Sequence, residues 1–302
     1  MPTEPGAGPA GTPAPRVITP AALRAWPLPQ PGGGGKEGRG RVLVVGGSRS
    51  TPGAVLLAAE AALRAGAGKL SVATPSDIAV PLAVALPEAG VEGLPSDPDG
   101  SFAAAAAEAV SERVGGMRGV LIGPGMSDPE ATRAIVEAAL GVLADDAVVV
   151  LDAMAVTCGA VTPEALRPLG QRVVLTPNPA EMAMLLGCDD SDDRDPVALA
   201  RDASERFGAV VAFSGVVAGP NGATWDDETG AAGLGTSGSG DVLSGVVAGL
   251  AARGASAEQA AVFAVHLHAQ AGDRLAERVG RLGYLARELA DQVPRVLAAL
   301  EL

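Results

Sequence analysis

Residues 235–241 read Gly-Thr-Ser-Gly-Ser-Gly-Asp and are followed directly by the apolar run 242–250. This pattern predicts a loop of small residues that leads into a helix. Backbone N–H groups at a helix start have no intrahelical partner and lie at the positive end of the helix dipole, so the amides of residues 238–240 could hold a phosphate. Asp241 would stand beside that phosphate and could take the proton of a hydroxyl group that attacks it. The alternative is that Asp241 only caps a helix after a flexible loop.

Small and polar residues also follow five of the predicted strands. These strand ends are Gly46-Gly47-Ser48 after 42–45, Gly123-Pro124-Gly125 after 119–122, Asp152 after 147–151, Pro177-Asn178 after 172–176, and Ser214-Gly215 after 209–213. Helical segments lie between these strands, and such alternation is typical of parallel strands joined by helices. Open α/β sheets bind ligands beyond the carboxyl ends of their strands, so we expect a polar ligand at this edge. Asp152 could instead cap the segment that follows it.

The chain therefore reads as an α/β domain over residues 38–302, with a mostly parallel central sheet and helices on both faces. A hairpin with its turn at Asn221-Gly222 and three final helices complete the pattern. Residues 1–37 are rich in Pro, Gly and Ala, which predicts a disordered tail. Within that tail, residues 18–26 carry a helix start with Pro at its first position and could dock on the domain.

Composition excludes several classes of function. The net charge of −13 argues against binding to nucleic acid or to an anionic membrane, and no apolar run is long enough to span a bilayer. The hydrophobic fraction is 48% and the aromatic fraction only 2%, so the core must consist of Ala, Val and Leu. Two cysteines, Cys158 and Cys188, are too few for a disulfide framework, which fits a reducing compartment. We therefore expect a soluble cytoplasmic protein.

Two familiar nucleotide-binding motifs are missing from the sequence. There is no Walker Gly-Lys-Ser/Thr motif, and the loop at Gly46 is not a Gly-x-Gly-x-x-Gly fingerprint. The two histidines, His266 and His268, lie two apart on a predicted helix and so do not face the same way. We interpret His266 as a core or surface residue and His268 as a structural residue.

The motifs taken together resemble a known family. Gly238-Ser239-Gly240-Asp241 at a late helix start is similar to the ribokinase-like superfamily, and residues 178–181, Asn-Pro-Ala-Glu, look like its Asn-x-x-Glu motif for magnesium and phosphate. Six ordered segments match one branch, the ADP-dependent (S)-NAD(P)H-hydrate dehydratases, over about residues 38–300. These segments are 46–54, 123–125, 152–153, 176–181, 235–241 and 268–273.

The resemblance implies a ribokinase-like three-layer fold and a repair reaction. ADP, or ATP in some relatives, phosphorylates the 6-hydroxyl of hydrated NADH or NADPH, and phosphate then leaves to restore the nicotinamide. Asp241 would be the catalytic base, and Glu181 would help to bind Mg²⁺. The hydrated nicotinamide nucleotide would contact Ala54, Gly125, Asn178 and Asp241. The adenine nucleotide would contact Ser214, Gly215, Val216, Val217, Ala218, Gly238, Ser239 and Gly240.

The chain departs from the family pattern beside the expected site. Asn178 stands where the family usually has His, Ser214 where it has Lys, and Met154 where it has a second Asp. Two alternatives therefore stay open: an ATP-dependent kinase of a small-molecule hydroxyl, and a nucleotide-binding homologue with reduced activity. The resemblance also implies a homo-oligomer, commonly a tetramer, that works with an NAD(P)H-hydrate epimerase.

Overall fold

Ten strands form one sheet in the computed structural model, which describes residues 13–30, 33, 35–188 and 194–301. The strands are β1 (Arg16–Val17), β2 (Arg41–Val45), β3 (Lys69–Pro75), β4 (Gly90–Leu94), β5 (Gly119–Ile122), β6 (Val148–Leu151), β7 (Val173–Leu175), β8 (Val210–Phe213), β9 (Val216–Ala218) and β10 (Thr224–Asp226). Their spatial order is β1-β10-β9-β8-β7-β6-β5-β2-β3-β4. Only β9 runs antiparallel to both of its neighbours, so the carboxyl ends of the other strands meet at one edge.

Helices cover both faces of this sheet. They are α1 (Pro20–Arg24), α2 (Gly35–Gly38), α3 (Pro52–Arg64), α4 (Ser76–Ala85), α5 (Ala106–Val114), α6 (Pro129–Gly141), α7 (Met154–Thr157), α8 (Pro163–Leu166), α9 (Pro179–Leu186), α10 (Pro196–Phe207), α11 (Ser239–Ala252), α12 (Ala257–Arg278) and α13 (Ala286–Glu301). One buried cluster joins α1, α3, α4 and α11–α13 to one face, and a second joins α5–α10 to the other. Alternate strand residues supply the two clusters: Leu121 faces the first, while Val120 and Ile122 face the second. The predicted three-layer α/β architecture is confirmed.

Helices α3 and α11 lie unusually close because glycines meet alanines between them. A Cβ built on Gly245 would lie 2.2 Å from the Ala58 carbonyl oxygen, and one on Gly249 would lie 2.4 Å from that of Ala62. Any side chain at either glycine would therefore push the helices apart. This contact holds α11 against α3 from one turn after Asp241 onward.

The N-terminal segment packs along the edge of the sheet. Ile18 N–H donates to the Asp226 carbonyl at 2.8 Å, Trp26 stacks on Trp225 with ring centroids 5.5 Å apart, and Leu23 is fully buried. Residues 16–26 therefore dock on the domain, as expected for 18–26, although they fall within the predicted tail of residues 1–37. Residues 1–12, which that prediction also covers, lie outside the described part of the chain.

Strand β4 is missing from the sequence prediction, as is the two-residue β1. β4 contains two glycines and is mostly exposed at the edge of the sheet, so it lacks the apolar run that reveals the other strands. The predicted hairpin is confirmed, with β9 and β10 antiparallel around Asn221-Gly222. Within the described ranges, no helix has both the length and the apolar character needed to cross a bilayer.

Candidate functional site

A cleft of about 560 Å³ opens at the carboxyl edge of the sheet, between the starts of α9 and α11 and the side of α12. One part of its lining is apolar and comes from Leu234, Leu243, Val265 and Ala269. The remaining lining is made by Asn178, Pro179, Ser214, Gly215, Asp227, Thr229, Gly230, Gly235, Thr236, Ser239, Gly240 and His268. No lysine or arginine is among these lining residues, so an anion here would be held by uncharged donors.

The start of α11 leaves backbone N–H groups unpaired. Gly238 precedes the helix with φ +87°, a left-handed conformation that glycine adopts without steric cost, and it provides no side-chain cap. Ser239 N–H donates to the Thr236 carbonyl at 3.2 Å. The N–H groups of Gly240 and Asp241 have no carbonyl partner among the described residues. Two amides at the positive end of a fourteen-residue helix are therefore available to an anion.

Asp241 lies in the first turn of α11 and is partly buried. Burial raises the pKa of its carboxyl to about 6, and the nearby Glu181 carboxylate adds to the increase. No hydrogen bond from the described residues engages the Asp241 side chain. A carboxylate with this pKa is largely ionised at neutral pH and is a stronger base than an exposed aspartate.

Asp152, at the end of β6, lies fully buried behind Asp241. Its Oδ1 accepts a hydrogen bond from Thr176 Oγ1 at 2.8 Å, and its Oδ2 accepts one from Ser244 Oγ at 2.9 Å. Burial, together with the charge of Asp241, raises the pKa of Asp152 to about 7. Because Ser244 lies one turn after Asp241 on α11, this network ties the first turns of α11 to the ends of β6 and β7. The sequence indicated Asp152 as a strand-end acid, but not its contact with α11.

The start of α9 is closed by its own side chains. Asn178 Oδ1 accepts from Glu181 N–H, and Glu181 Oε2 accepts from Asn178 N–H, each at 2.9 Å. This reciprocal pair is a capping box. Burial raises the pKa of Glu181, while the hydrogen bond from the Asn178 amide opposes that increase. Asn178 itself lines the cleft, whereas Glu181 does not.

Ala54 and Gly125 lie together next to the start of α11. Gly125 has φ +69°, and a Cβ built on it would lie 2.9 Å from the Ala54 Cβ and 2.5 Å from the Thr51 carbonyl oxygen. A Cβ built on Gly238 would lie 2.6 Å from Leu57, which is one turn after Ala54 on α3. Neither Ala54 nor Gly125 lines the 560 Å³ cleft. They mark a second region, on the α3 side of Asp241.

The predicted nucleotide segment 214–218 is divided by the structure. Ser214 and Gly215 line the cleft, and both have positive φ, +47° and +86°. Val216, Val217 and Ala218 form β9, which is hydrogen-bonded to β8 on one edge and β10 on the other. Their side chains are buried in the core, so these three residues do not reach the cleft.

Two contacts from α12 were not predicted. His266 Nδ1 lies 2.7 Å from Asp227 Oδ2, and His268 Nε2 lies 2.9 Å from Ser239 Oγ. Burial alone would raise the pKa of Asp227, but hydrogen bonds from His266 and Thr229 hold it below its usual range. One feature of the sequence could have indicated these contacts: both histidines of the chain fall on one helix after the Gly-rich loop.

A metal site made by protein side chains alone is not present in the described residues, where no three His, Cys, Asp or Glu groups lie close enough to hold an ion. Glu181 keeps one carboxylate oxygen, Oε1, outside its capping box. Mg²⁺ is commonly bound by one or two carboxylates together with water and substrate phosphates. The donor set therefore fits a metal that arrives with a phosphate ligand.

Comparisons with known proteins agree with this geometry. A family model described as NAD(P)H-hydrate dehydratase matches residues 42–295. The chain is 47% identical to the ADP-dependent (S)-NAD(P)H-hydrate dehydratase of Xanthomonas campestris pv. campestris, over 94% of this chain and 97% of that one. The bifunctional NAD(P)H-hydrate repair enzyme Nnr of Moorella thermoacetica is 38% identical over 95% of this chain, which spans 54% of that relative's length.

A solved structure is similar over nearly the whole chain. It is the ADP/ATP-dependent NAD(P)H-hydrate dehydratase of Bacillus subtilis, co-crystallised with ATP and Mg²⁺, at 27% identity and a TM-score of 0.77. The match covers 94% of this chain and 98% of that structure. The ribokinase-like fold expected from the motifs is therefore confirmed.

Proposed function

The chain belongs to the NAD(P)H-hydrate dehydratase family, and from that membership we propose that it repairs hydrated NADH or NADPH with ADP as co-substrate. The observation that carries the proposal is the uncapped start of α11, where free amides and the unpaired carboxylate of Asp241 occupy one helical turn. Amides suit the phosphates of the nucleotide, and the carboxylate suits a hydroxyl that attacks them.

The reaction proceeds in two steps. The hydroxyl on the hydrated nicotinamide ring attacks the terminal phosphorus of ADP, the bond to the bridging oxygen breaks, and AMP leaves. Asp241 takes the hydroxyl proton as the new P–O bond forms. The ring C–O bond then breaks with loss of phosphate, and a neighbouring ring carbon loses a proton, so that the double bond returns. The products are NAD(P)H, AMP and phosphate.

The cleft has the lining that an adenine nucleotide requires. Leu234, Leu243 and Val265 form an apolar region suited to a base, and the Gly240 amide lies on the side where phosphates would be held. Ser214, Gly215, Gly238 and Ser239 complete our assignment of the nucleotide site. The buried residues 216–218 support it only by forming the strand behind the cleft.

The hydrated nicotinamide belongs on the other side of Asp241. Ala54 and Gly125 provide a surface there with little side-chain bulk, and Asn178, which lines the cleft itself, offers an amide for hydrogen bonding. We assign these three residues and Asp241 to the substrate. In this arrangement the base stands between the ring hydroxyl and the nucleotide phosphates.

Mg²⁺ would be held by Glu181 together with phosphate oxygens, and when bound it supplies positive charge to the phosphates being transferred. The absence of lysine and arginine from the cleft lining makes that charge more important here. Asp241 remains the group that takes the proton. The amides of Gly240 and Asp241 hold the anion in place.

Partners follow from the same proposal. Bifunctional relatives such as the Moorella enzyme are named for NAD(P)H-hydrate repair, which supports pairing with an NAD(P)H-hydrate epimerase. A homo-oligomer, with four subunits as the family's common form, and a cytoplasmic location remain predictions. Size-exclusion chromatography with light scattering tests the oligomer.

The deciding experiment incubates the protein with hydrated NADH, ADP and Mg²⁺ and follows dihydronicotinamide absorbance together with the nucleotide products. We expect NADH, AMP and phosphate in equal amounts, and a parallel series with ATP measures nucleotide preference. Accumulation of a phosphorylated hydrate without NADH would indicate a kinase. ADP binding without turnover would indicate a nucleotide-binding homologue. Either of the last two results overturns the proposal.

A further inference from the structure

Both histidines of the chain contact the lining of the nucleotide cleft, each at a different wall. On α12, His266 contacts Asp227 after β10, and His268 contacts Ser239 in the first turn of α11. Asp227, Ser239 and His268 all line the cleft. Asp227 Oδ2 is the partner of His266 Nδ1, and Asp227 Oδ1 accepts from Thr229 N–H, so both oxygens of this carboxylate are already hydrogen-bonded. The His268 contact has a further consequence for the Ser239 hydroxyl.

The tautomer of His268 follows from its two contacts. Nε2 lies 2.9 Å from Ser239 Oγ and 3.1 Å from the Ser239 carbonyl oxygen. A carbonyl oxygen can only accept, so Nε2 must carry a hydrogen. Because a nitrogen that carries the ring hydrogen cannot accept, Ser239 Oγ is an acceptor toward the histidine. The hydrogen of the Ser239 hydroxyl is then left to donate elsewhere.

We propose that His268 is a positioning residue that makes the Ser239 hydroxyl a phosphate donor. The imidazole Nε2–H occupies a lone pair of Oγ and holds the Ser239 backbone, while the hydroxyl hydrogen is directed to an anion at the start of α11. Ser239 thereby adds a third donor to the free amides of Gly240 and Asp241. The inference deepens the proposed function, since it assumes that the cleft binds the phosphates of ADP.

The protonation state of His268 agrees with this role. Burial lowers its pKa to about 4, although the hydrogen bond with the Ser239 backbone opposes the decrease. The ring is therefore neutral at physiological pH and contributes orientation rather than charge. In a cleft lined by no lysine or arginine, a correctly oriented hydroxyl is a valuable donor to phosphate.

A double-mutant cycle on ADP binding tests the proposal. Dissociation constants for ADP with Mg²⁺ are measured by calorimetry for the wild type, Ser239→Ala, His268→Ala and the double variant. A hydrogen bond to a charged phosphate corresponds to roughly a tenfold change in affinity or more. We expect each single variant to lose about that much and the double variant to lose little more than either. Losses that multiply in the double variant would contradict the proposal, as would a single variant with wild-type affinity.

Two variants separate positioning from general damage to α12. His268→Gln keeps an N–H donor on a flexible side chain, so it should recover part of the affinity that His268→Ala loses. Glu277→Gln changes an exposed residue on the same helix and should bind ADP like the wild type. If His268→Gln binds no better than His268→Ala, the donor role is wrong.

A measurement on the wild-type protein covers the case in which the variants do not fold. With only two histidines, imidazole nitrogen NMR gives one set of signals for each ring. We expect His268 to be in the Nε2–H tautomer, and its Nε2–H signal to shift when ADP and Mg²⁺ are added. The Nδ1–H tautomer, or ADP binding without any change at His268, would overturn the inference. Failure of the wild type to bind ADP would instead count against the proposed function.

Discussion

Two helices begin beside the cleft, and their first turns are completed in opposite ways. At α9, Asn178 and Glu181 cap each other's backbone amides, so the polar groups at that helix start are used within the helix. At α11, Gly238 offers no side chain, and the amides of Gly240 and Asp241 lack carbonyl partners among the described residues. Both helices carry an acidic residue in the first turn, yet of these two only the Asp241 carboxylate accepts no hydrogen bond from the part of the chain that the structure describes.

The two helix starts differ in their capacity to bind an anion. A self-capped start is stable without a ligand and has little left to offer an anion. An uncapped start is less stable because its amides are unpaired, and it regains that stability when an anion binds to them. The two helix starts therefore differ in what they offer: α9 contributes a self-capped wall and a nearby negative charge, and α11 contributes the open amides and the carboxylate that we propose as anion site and base.

Removal of the Asp241 carboxylate should reduce turnover more than any other change. Asp241→Asn keeps the size of the side chain and removes the base, so kcat should fall by roughly 10²- to 10⁴-fold. ADP affinity should stay near the wild-type value or rise, because the amides of α11 remain and a negative charge near the phosphates is lost. The measurement is turnover of hydrated NADH beside calorimetry with ADP. A variant that still repairs its substrate at the wild-type rate would show that Asp241 is not the base.

Closing the open helix start with a side chain should come next. Gly238→Ala places a Cβ at φ +87° and only 2.6 Å from Leu57 Cδ1 and 3.2 Å from Ala286 Cβ. We expect the free energy of unfolding to fall by about 2 kcal/mol or more from the backbone conformation and the clash. Urea unfolding measures this. Gly240→Ala is the matched control, since nothing lies within 4 Å of a Cβ there and the position is helical, so it should not destabilise.

The buried acid behind α11 should respond to pH. Folding raises the pKa of Asp152 from 3.8 to about 7. The folded state therefore holds this proton more tightly, and the resulting stability is present below about pH 4 and lost as the pH rises through about 7. Asp152→Asn cannot ionise and should be more stable than the wild type at about pH 8 by more than about 1 kcal/mol, with no gain at about pH 4. Thermal unfolding without Mg²⁺ at both values is the test, and an equal gain at both would refute ionisation as the cause.

Removing the cap of α9 should affect stability and leave ADP binding nearly unchanged. Asn178→Ala removes the acceptor for Glu181 N–H, and we expect the free energy of unfolding to fall by about 1 kcal/mol. Because the anion site lies on α11, the ADP dissociation constant should change by less than about twofold, well under the effect of losing one hydrogen bond to phosphate. A large loss of ADP affinity without a loss of stability would reverse the roles assigned to the two helices.

The parts of the fold and site that form from residues adjacent in the chain could be predicted from the sequence. The strand at 119–122 is a continuous apolar run before Gly123, and the α11 loop consists of small residues before an apolar run, so both could be recognised. Contacts between distant residues could not: Ser239 and His268 are 29 residues apart, and Ser244 and Asp152 are 92 apart. These pairs depend on how helices and strands pack, which no local pattern records.

The predicted nucleotide segment also shows that local sequence does not reveal how a segment packs in the fold. Its assignment to residues 214–218 came from the family resemblance, and the structure shows that Val216, Val217 and Ala218 form β9, which pairs with β8 and β10. Whether a short apolar strand lies at an edge or inside a sheet is decided by the partners it finds. The docking of residues 18–26 was expected, but its strand pairing at Arg16 and Val17 depends on the position of β10.

The two helix starts interact electrostatically, and removing this interaction should have the weakest effect of the changes proposed here. Glu181 on α9 contributes to the raised pKa of Asp241 on α11, after burial. Glu181→Gln keeps an oxygen for the capping box and removes the charge, so the pKa of Asp241 should fall below about 6 by a fraction of a pH unit. The base would then stay ionised at lower pH, and NMR titration of the Asp241 carboxyl without nucleotide or metal measures the shift directly. Asn178→Ala, which breaks the cap but keeps the charge, is the matched control and should leave that pKa raised. If both variants moved it equally, the two helix starts would be coupled through the packing of α9 rather than through charge.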